Sequence, residues 1–115
     1  QVELLYALFS IWKDENKLIV NISSNSGDGI KRRSHIYSIH KTALDKASEQ
    51  LGNIPGSNCK IINIRPGWVD TPMVSNVEEK KIDPDDLAVI ISKAITAWNL
   101  KQYVVTNMTI LPYEK

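Results

Sequence analysis

Asn21-Ile-Ser-Ser24-Asn-Ser-Gly27, followed ten residues on by Tyr37-Ser-Ile-His-Lys41, is the stretch whose reading decides the fold. The apolar run Leu18-Ile-Val20, with Ile22, leads into it as a buried parallel strand would. Ser24 stands where that run ends. Tyr37 and Lys41 are four apart, which on a helix puts both side chains on one face, about one turn apart. A hydroxyl at a strand end, facing a Tyr–Lys pair at a helix start, makes a compact proton-transfer site.

Outward toward the C-terminus, the spacing predicts a helix over 37–51. Ile39, Ala43, Ala47 and Leu51 form its apolar line, and Gly52 closes it. Pro55 and Gly56 mark a turn, and Cys59 to Ile64 reads as a second strand. A long connection over 65–82 contains Pro66, Gly67 and Pro72. Asp83-Pro84-Asp85-Asp86 is a helix start, with a capping Asp, Pro at the first position and acids in the first turn. That helix runs to about Trp98, turning Leu87, Ile90, Ile91, Ala94 and Ile95 inward. Tyr103 to Leu111 reads as a third strand.

Toward the N-terminus, residues 1–13 read as a helix that is apolar nearly all round. Val2, Leu5, Leu8, Phe9 and Trp12 recur at three- and four-residue spacing. Such a helix is buried on more than one side. The sheet is one partner, and a neighbouring subunit is the simplest second. Helices and strands thus alternate along the chain, which argues for an α/β fold with a parallel sheet and helices on its faces. Three strands make half of a doubly wound, Rossmann-like sheet, so residues 1–115 read as half a domain. The strand from Leu18 would leave a flat apolar edge that something else completes.

Composition narrows the function. Of 115 residues, 43% are hydrophobic and 23% charged, as in an ordinary globular domain. A net charge of +1 gives no reason to expect nucleic acid or a membrane surface as partner. One cysteine, Cys59, makes no internal disulfide, which suits a reducing, cytoplasmic setting. The chain opens on Gln1, already in a helical pattern and with no capping residue before it. The expectation is a fragment of a larger protein.

Three elements together resemble the short-chain dehydrogenase/reductases, in their compact single-domain branch. They are Ile22-Ser-Ser24-Asn-Ser-Gly27, Tyr37-xxx-Lys41 and Asn63-Ile-Arg-Pro66-Gly67-Trp-Val69-Asp-Thr71. A lone Tyr-xxx-Lys is common on surface helices; the three at this spacing are not. The resemblance covers nearly the whole chain but only the second half of the family's fold. It implies an NAD(P)-dependent oxidoreductase that interconverts a carbonyl and an alcohol by hydride transfer, with a small-molecule substrate. Tyr37 is then the acid/base, since a phenol beside an ammonium gives up its proton more readily. Lys41 supplies that ammonium and bonds the cofactor ribose. Ser24 polarises the substrate oxygen. By the same resemblance NAD or NADP is bound by Tyr37, Lys41, the Pro66–Gly67 turn, the backbone near Val69 and the Thr71 hydroxyl. Homo-oligomers form through the 1–13 and 37–51 helices.

Rival residues are weaker. Ser23 should point to the opposite side of the strand from Ser24, and Ser26 reads as a loop hydrogen-bonder. His35 and His40 flank Tyr37, but no set of three or four converging metal ligands accompanies them. Cys59 reads as a small buried residue. Lys31-Arg32-Arg33 could favour an anionic substrate, although a solvated loop is the plainer reading. Met73, Val74 and Val77 could close over a modest substrate. The family's glycine-rich pyrophosphate turn, its cofactor-selecting residue and its proton-relay asparagine are absent from these 115 residues, and Gly27-Asp-Gly29 is no substitute. The alternative is a cofactor-sensing or scaffold protein of the same fold, without catalysis. The chain alone is expected neither to hold a dinucleotide firmly nor to turn over. A fluorescence titration with NADH and with NADPH should show no tight binding, and saturation at low concentration would refute this.

Overall fold

The computed structural model describes residues 1–24, 35–76, 78–103 and 105–113. Along these, α1 (Val2–Trp12), β1 (Leu18–Ile22), α2 (His35–Gly52), β2 (Lys60–Pro66), α3 (Pro84–Asn99) and β3 (Asn107–Ile110) follow in order, with a short 3-10 turn at Pro72–Val74. The described strands form one sheet in the order β1-β2-β3, and both pairings are parallel. The fold is α/β, a partial Rossmann-like sheet with flanking helices, as the alternation implies.

Side-chain alternation along β2 explains the layering. Ile61 faces one side, where it joins Leu5 and Phe9 of α1, Leu44, Ala47 and Leu51 of α2, and Ile19 of β1. Ile62 and Ile64 face the other, where they join Ala94 of α3, Ile82 and Ile110. α1 and α2 thus cover one face and α3 the other. Cys59, just before β2, is buried in the first cluster. Gly56 turns the chain between α2 and β2 at φ 81°, a left-handed value that favours glycine.

The helix starts follow their chemistry. Asp83 caps α3, its carboxylate accepting from the backbone N–H of Asp85 at 2.7 Å and of Asp86 at 3.3 Å. The chain leaves α3 through Lys101 at φ 60°, whose ammonium lies 3.0 Å from the centre of the Trp98 ring.

Several bounds differ from the sequence reading, each for a physical reason. α2 begins two residues earlier than expected, so Tyr37 lies within its first turn, and Gly52 is its last residue. Its buried line is Leu44, Ala47, Ser48 and Leu51, whereas Ile39 and Ala43 are exposed. Both lines have helical spacing; the sheet takes the one that carries Leu44. α1 buries Leu5 and Phe9 but exposes Leu4, Tyr6 and Ile11, so among the described residues it packs on one side only. β2 continues to Pro66 because β3 pairs with Asn63 through Pro66. β3 is confined to Asn107–Ile110 by the same pairing, and Tyr103 is exposed. The connection after β2 is tied by a parallel bridge between Val69 and Ile82. Ile95 stays over a third exposed, on the outer side of α3.

No helix among the described residues is long and apolar enough to cross a membrane. The buried line of α2 carries a quantitative expectation. Leu44→Ala should cost about 2–5 kcal/mol of unfolding free energy in urea titrations, and Val89→Ala, at an exposed position of α3, less than about 0.5 kcal/mol.

Candidate active site

All three strands run the same way, so their carboxyl ends share one edge of the sheet, where parallel α/β sheets bind ligands. Pro66 at the end of β2 lies beside Ile110 at the end of β3. On the other side the Ser23 N–H donates to the Ile64 carbonyl at 2.6 Å, carrying the β1–β2 ladder one residue past β1. Continued one residue further, that register sets Ser24 level with Pro66. Ser24 is half-buried there.

The first turns of α2 approach the same edge. Lys41 lies with its ammonium 5.5 Å from the centre of the Tyr37 ring. That ammonium donates to the carbonyl oxygen of Ile22 at 3.2 Å and to the side-chain oxygen of Gln1 at 2.9 Å. Tyr37 is half exposed, open to a ligand. Burial lowers the Lys41 pKa, and the negative charge of Asp45 works against that shift. The structure therefore brings Tyr37 and Lys41 together and sets Lys41 against the end of β1, two residues before Ser24.

The segment after β2 is shaped by backbone bonds. The Gly67 N–H donates to the Ile110 carbonyl at 2.9 Å. In the Val69–Ile82 bridge, Ile82 donates to the Trp68 carbonyl at 2.6 Å and the Asp70 N–H donates to the Ile82 carbonyl at 2.8 Å. A parallel bridge of this form uses the residues on either side of Val69 and directs Val69's own N–H and C=O away from Ile82. Thr71 is half-buried before the 3-10 turn, and its side chain does not cap that turn.

These features are a fair test of whether a nicotinamide dinucleotide fits. An ammonium has three donors, and two of those on Lys41 are taken by Ile22 and Gln1. Among the described residues that leaves one for a ribose hydroxyl. The paired donor and acceptor of Val69 match a carboxamide. The residues fit the nicotinamide end of such a cofactor.

Of the rivals, Ser23 is buried and points at α2, where its hydroxyl donates to Asp45 Oδ1 at 2.6 Å. His40 is exposed on the flank of α2. Ser26, Gly27, Gly29, Lys31, Arg32, Arg33 and Val77 lie outside the described residues, as do the side chains of His35 and Met73. Among the described residues no group of three His, Cys, Asp or Glu side chains is placed to hold a metal ion.

The sequence reading missed a polar cluster beneath α2. Asp45 Oδ1 also accepts from Asn63 Nδ2 at 2.7 Å, and Asp45 Oδ2 pairs with Arg65 Nε at 3.2 Å. Arg65 reaches on to Thr109 of β3 at 3.0 Å, and Asn21 donates to Ser48 at 2.8 Å. A signal was present: Asn21, Ser23, Asn63 and Arg65 stand at alternate positions of two otherwise apolar strands, and Asp45 is one turn past Lys41. Polar residues repeating with period two on a covered face need a polar partner above them.

No family model matches the chain. An uncharacterized oxidoreductase of Staphylococcus saprophyticus is 32% identical over 99 residues, spanning 82% of this chain and 41% of that protein. An uncharacterized oxidoreductase of Staphylococcus aureus is 30% identical over 110 residues, spanning 92% of this chain and 47% of that protein. Among solved structures, a short-chain dehydrogenase/reductase from Vibrio parahaemolyticus superposes with a TM-score of 0.76 at 23% identity, over 99% of this chain and 52% of that one. A short-chain dehydrogenase from Streptomyces avermitilis gives 0.60 at 21% identity, over 84% and 42%. The chain spans less than half the length of these curated relatives. Its fold is that of the short-chain dehydrogenase/reductases.

The ionisation of Lys41 has a consequence for stability. Its folded pKa lies below the ordinary 10.5. Between those two values the unfolded lysine binds more protons than the folded one, so its contribution to stability rises with pH across that window. Urea unfolding at about pH 8 and about pH 10.5, for wild type and Lys41→Met, should show the difference between them moving in favour of wild type at the higher pH. The buried thiol of Cys59, pushed up by burial, titrates in the opposite sense and cancels in this comparison.

Proposed function

We propose that this short-chain dehydrogenase/reductase-like chain forms the catalytic half of an NAD(P)-dependent oxidoreductase that interconverts a carbonyl and an alcohol. One observation carries the reading. The Lys41 ammonium lies beside the Tyr37 ring and against the end of β1, at the carboxyl edge of a parallel sheet. The chain's similarity to proteins named as oxidoreductases supports it.

In the reducing direction the Tyr37 hydroxyl gives its proton to the carbonyl oxygen. The phenolate left behind is offset by the Lys41 ammonium and is reprotonated from solvent. Ser24 donates a hydrogen bond to the same oxygen, strengthening as negative charge develops there. Lys41 would hold the cofactor's ribose, and the Val69 backbone and Thr71 would hold its carboxamide. The bound nicotinamide supplies or accepts the hydride. In the oxidising direction Tyr37 removes the alcohol proton by the same path.

The partners follow from what is left open. Leu4, Tyr6 and Ile11 of α1, with Ile36 and Ile39 of α2, are large apolar side chains exposed on the two helices that share a face. Pairing of this helical layer with a second copy would cover them, which makes a homo-oligomer part of the proposal. A cytoplasmic setting agrees with the lone buried thiol.

The test uses the intact protein that carries this chain. Tyr37→Phe should lower turnover by about 100-fold or more while cofactor binding, read by NAD(P)H fluorescence, stays measurable. Undiminished turnover in that variant would remove Tyr37 from the chemistry. An intact wild type that binds cofactor and self-associates yet reduces no carbonyl would favour the non-catalytic, sensing role.

A further inference from the structure

α2 is held to the sheet by two kinds of contact, and they divide along its length. Its buried residues are Leu44, Ala47, Ser48 and Leu51, all in the C-terminal two-thirds. In the first two turns Ile36, Tyr37, Ile39 and His40 are exposed. On the side of β1 that faces α2 the apolar core stops at Ile19, and Ile22, on the other side, is 44% exposed. Apolar packing therefore ends before it reaches Ser24, Tyr37 or Lys41. Beyond that point polar contacts set how the end of β1 lies against α2.

Asp45 is the centre of those contacts. Its side chain is four-fifths buried. Oδ1 takes the Ser23 hydroxyl at 2.6 Å and Asn63 Nδ2 at 2.7 Å, and Oδ2 pairs with Arg65. One carboxylate thus joins the end of β1, the middle of β2 and the helix one turn beyond Lys41. Ser23 also lies 3.4 Å from the Lys41 carbonyl oxygen. Ser23 precedes Ser24 directly, so tying Ser23 to α2 sets where Ser24 stands relative to the face that carries Tyr37 and Lys41.

We infer that Asp45 is a positioning residue. Through Ser23 it sets Ser24 in register with Tyr37 and Lys41, while Asn63 and Arg65 hold its carboxylate in place. The catalytic part of this inference rests on the function proposed above; the geometric part does not. In this role Asp45 acts through Ser23. A charged hydrogen bond of this kind is short and directional. Reacting groups lose rate steeply with small displacements, so a loosened Ser24 costs turnover rather than cofactor affinity.

Amide hydrogen exchange on the intact protein that carries this chain tests the geometry without reference to activity. In Asp45→Asn the amides of Ser24 and of Ile39 through Lys41 should exchange roughly tenfold faster or more, while those of Leu44 and Ile62 change less than about threefold. A merely structural role would speed all of them together, and that result, or no change at Ser24, would overturn the inference. Should Asp45→Asn fail to fold, Ser23→Ala decides by the same criterion, since it breaks one arm and leaves the pair with Arg65. Ser23→Thr, which keeps the hydroxyl, should restore protection.

In the intact enzyme, assayed with NADH or NADPH and 4-nitrobenzaldehyde as the carbonyl probe, Asp45→Asn should lower kcat roughly ten- to a hundredfold with the cofactor KM nearly unchanged. Wild-type kcat in Asp45→Asn beside an inactive Tyr37→Phe would overturn the inference and leave the proposed function standing. An active Tyr37→Phe would overturn that function, and the exchange data would still decide the geometry.

Discussion

Because β2 lies in the middle of the sheet with helices on both faces, most of its residues are buried and its polar groups need partners. Ile62 and Ile64 meet that constraint by apolar burial under α3. Asn63 and Arg65, on the opposite face, turn to Asp45 of α2, with Asn107 and Thr109 of β3 as further partners. An unpaired group at either place would carry the full cost of desolvation, about 1–3 kcal/mol and more if charged. The helix is thus held at a definite height and rotation over the sheet. Leucine against isoleucine alone tolerates sliding; a carboxylate that accepts from two donors and pairs with a guanidinium does not.

The same constraint shows how much of the fold could be read in advance. Element order, strand direction and the capping of α3 are local matters of period and end chemistry, and they are legible in Leu18-Ile-Val20 and Asp83-Pro84. Which stripe of a helix faces the sheet is not local when two stripes are apolar. In α2 the line through Ile39 and Ala43 and the line through Leu44 and Ala47 are one residue apart in phase, and only the layer beneath chooses between them. Strand length is equally non-local. β3 has strong β-formers from Tyr103 onward but pairs over only four residues, Asn107–Ile110, although β2 itself begins at Lys60.

The candidate site divides in the same way. The Tyr37–Lys41 pair is a helix-spacing statement, and the helix delivers it. The placement of Lys41 against the Ile22 carbonyl and the Gln1 side chain joins three separate elements and has no counterpart in any short motif. Asp45 belongs to that class too. Its sequence neighbours, Leu44 and Lys46, say nothing of Ser23, Asn63 or Arg65, which are 18 to 22 positions away. Buried polar residues recurring every second position were the one visible trace of it.

The bridge between Val69 and Ile82 gives the connection after β2 a different character from the rest of the site. What it presents at position 69 is a peptide group, and the same peptide group accompanies almost any side chain. Recognition built this way is insulated from point mutation: the residue at 69 can drift among most of the amino acids without altering the donor and acceptor it displays. Proline stands apart, having no N–H to offer. Selection can then reshape the wall of the site around Trp68 and Thr71 toward new substrates while the feature that would seat a carboxamide stays unchanged. A loop that is variable in sequence and constant in chemistry is a ready starting point for diversification.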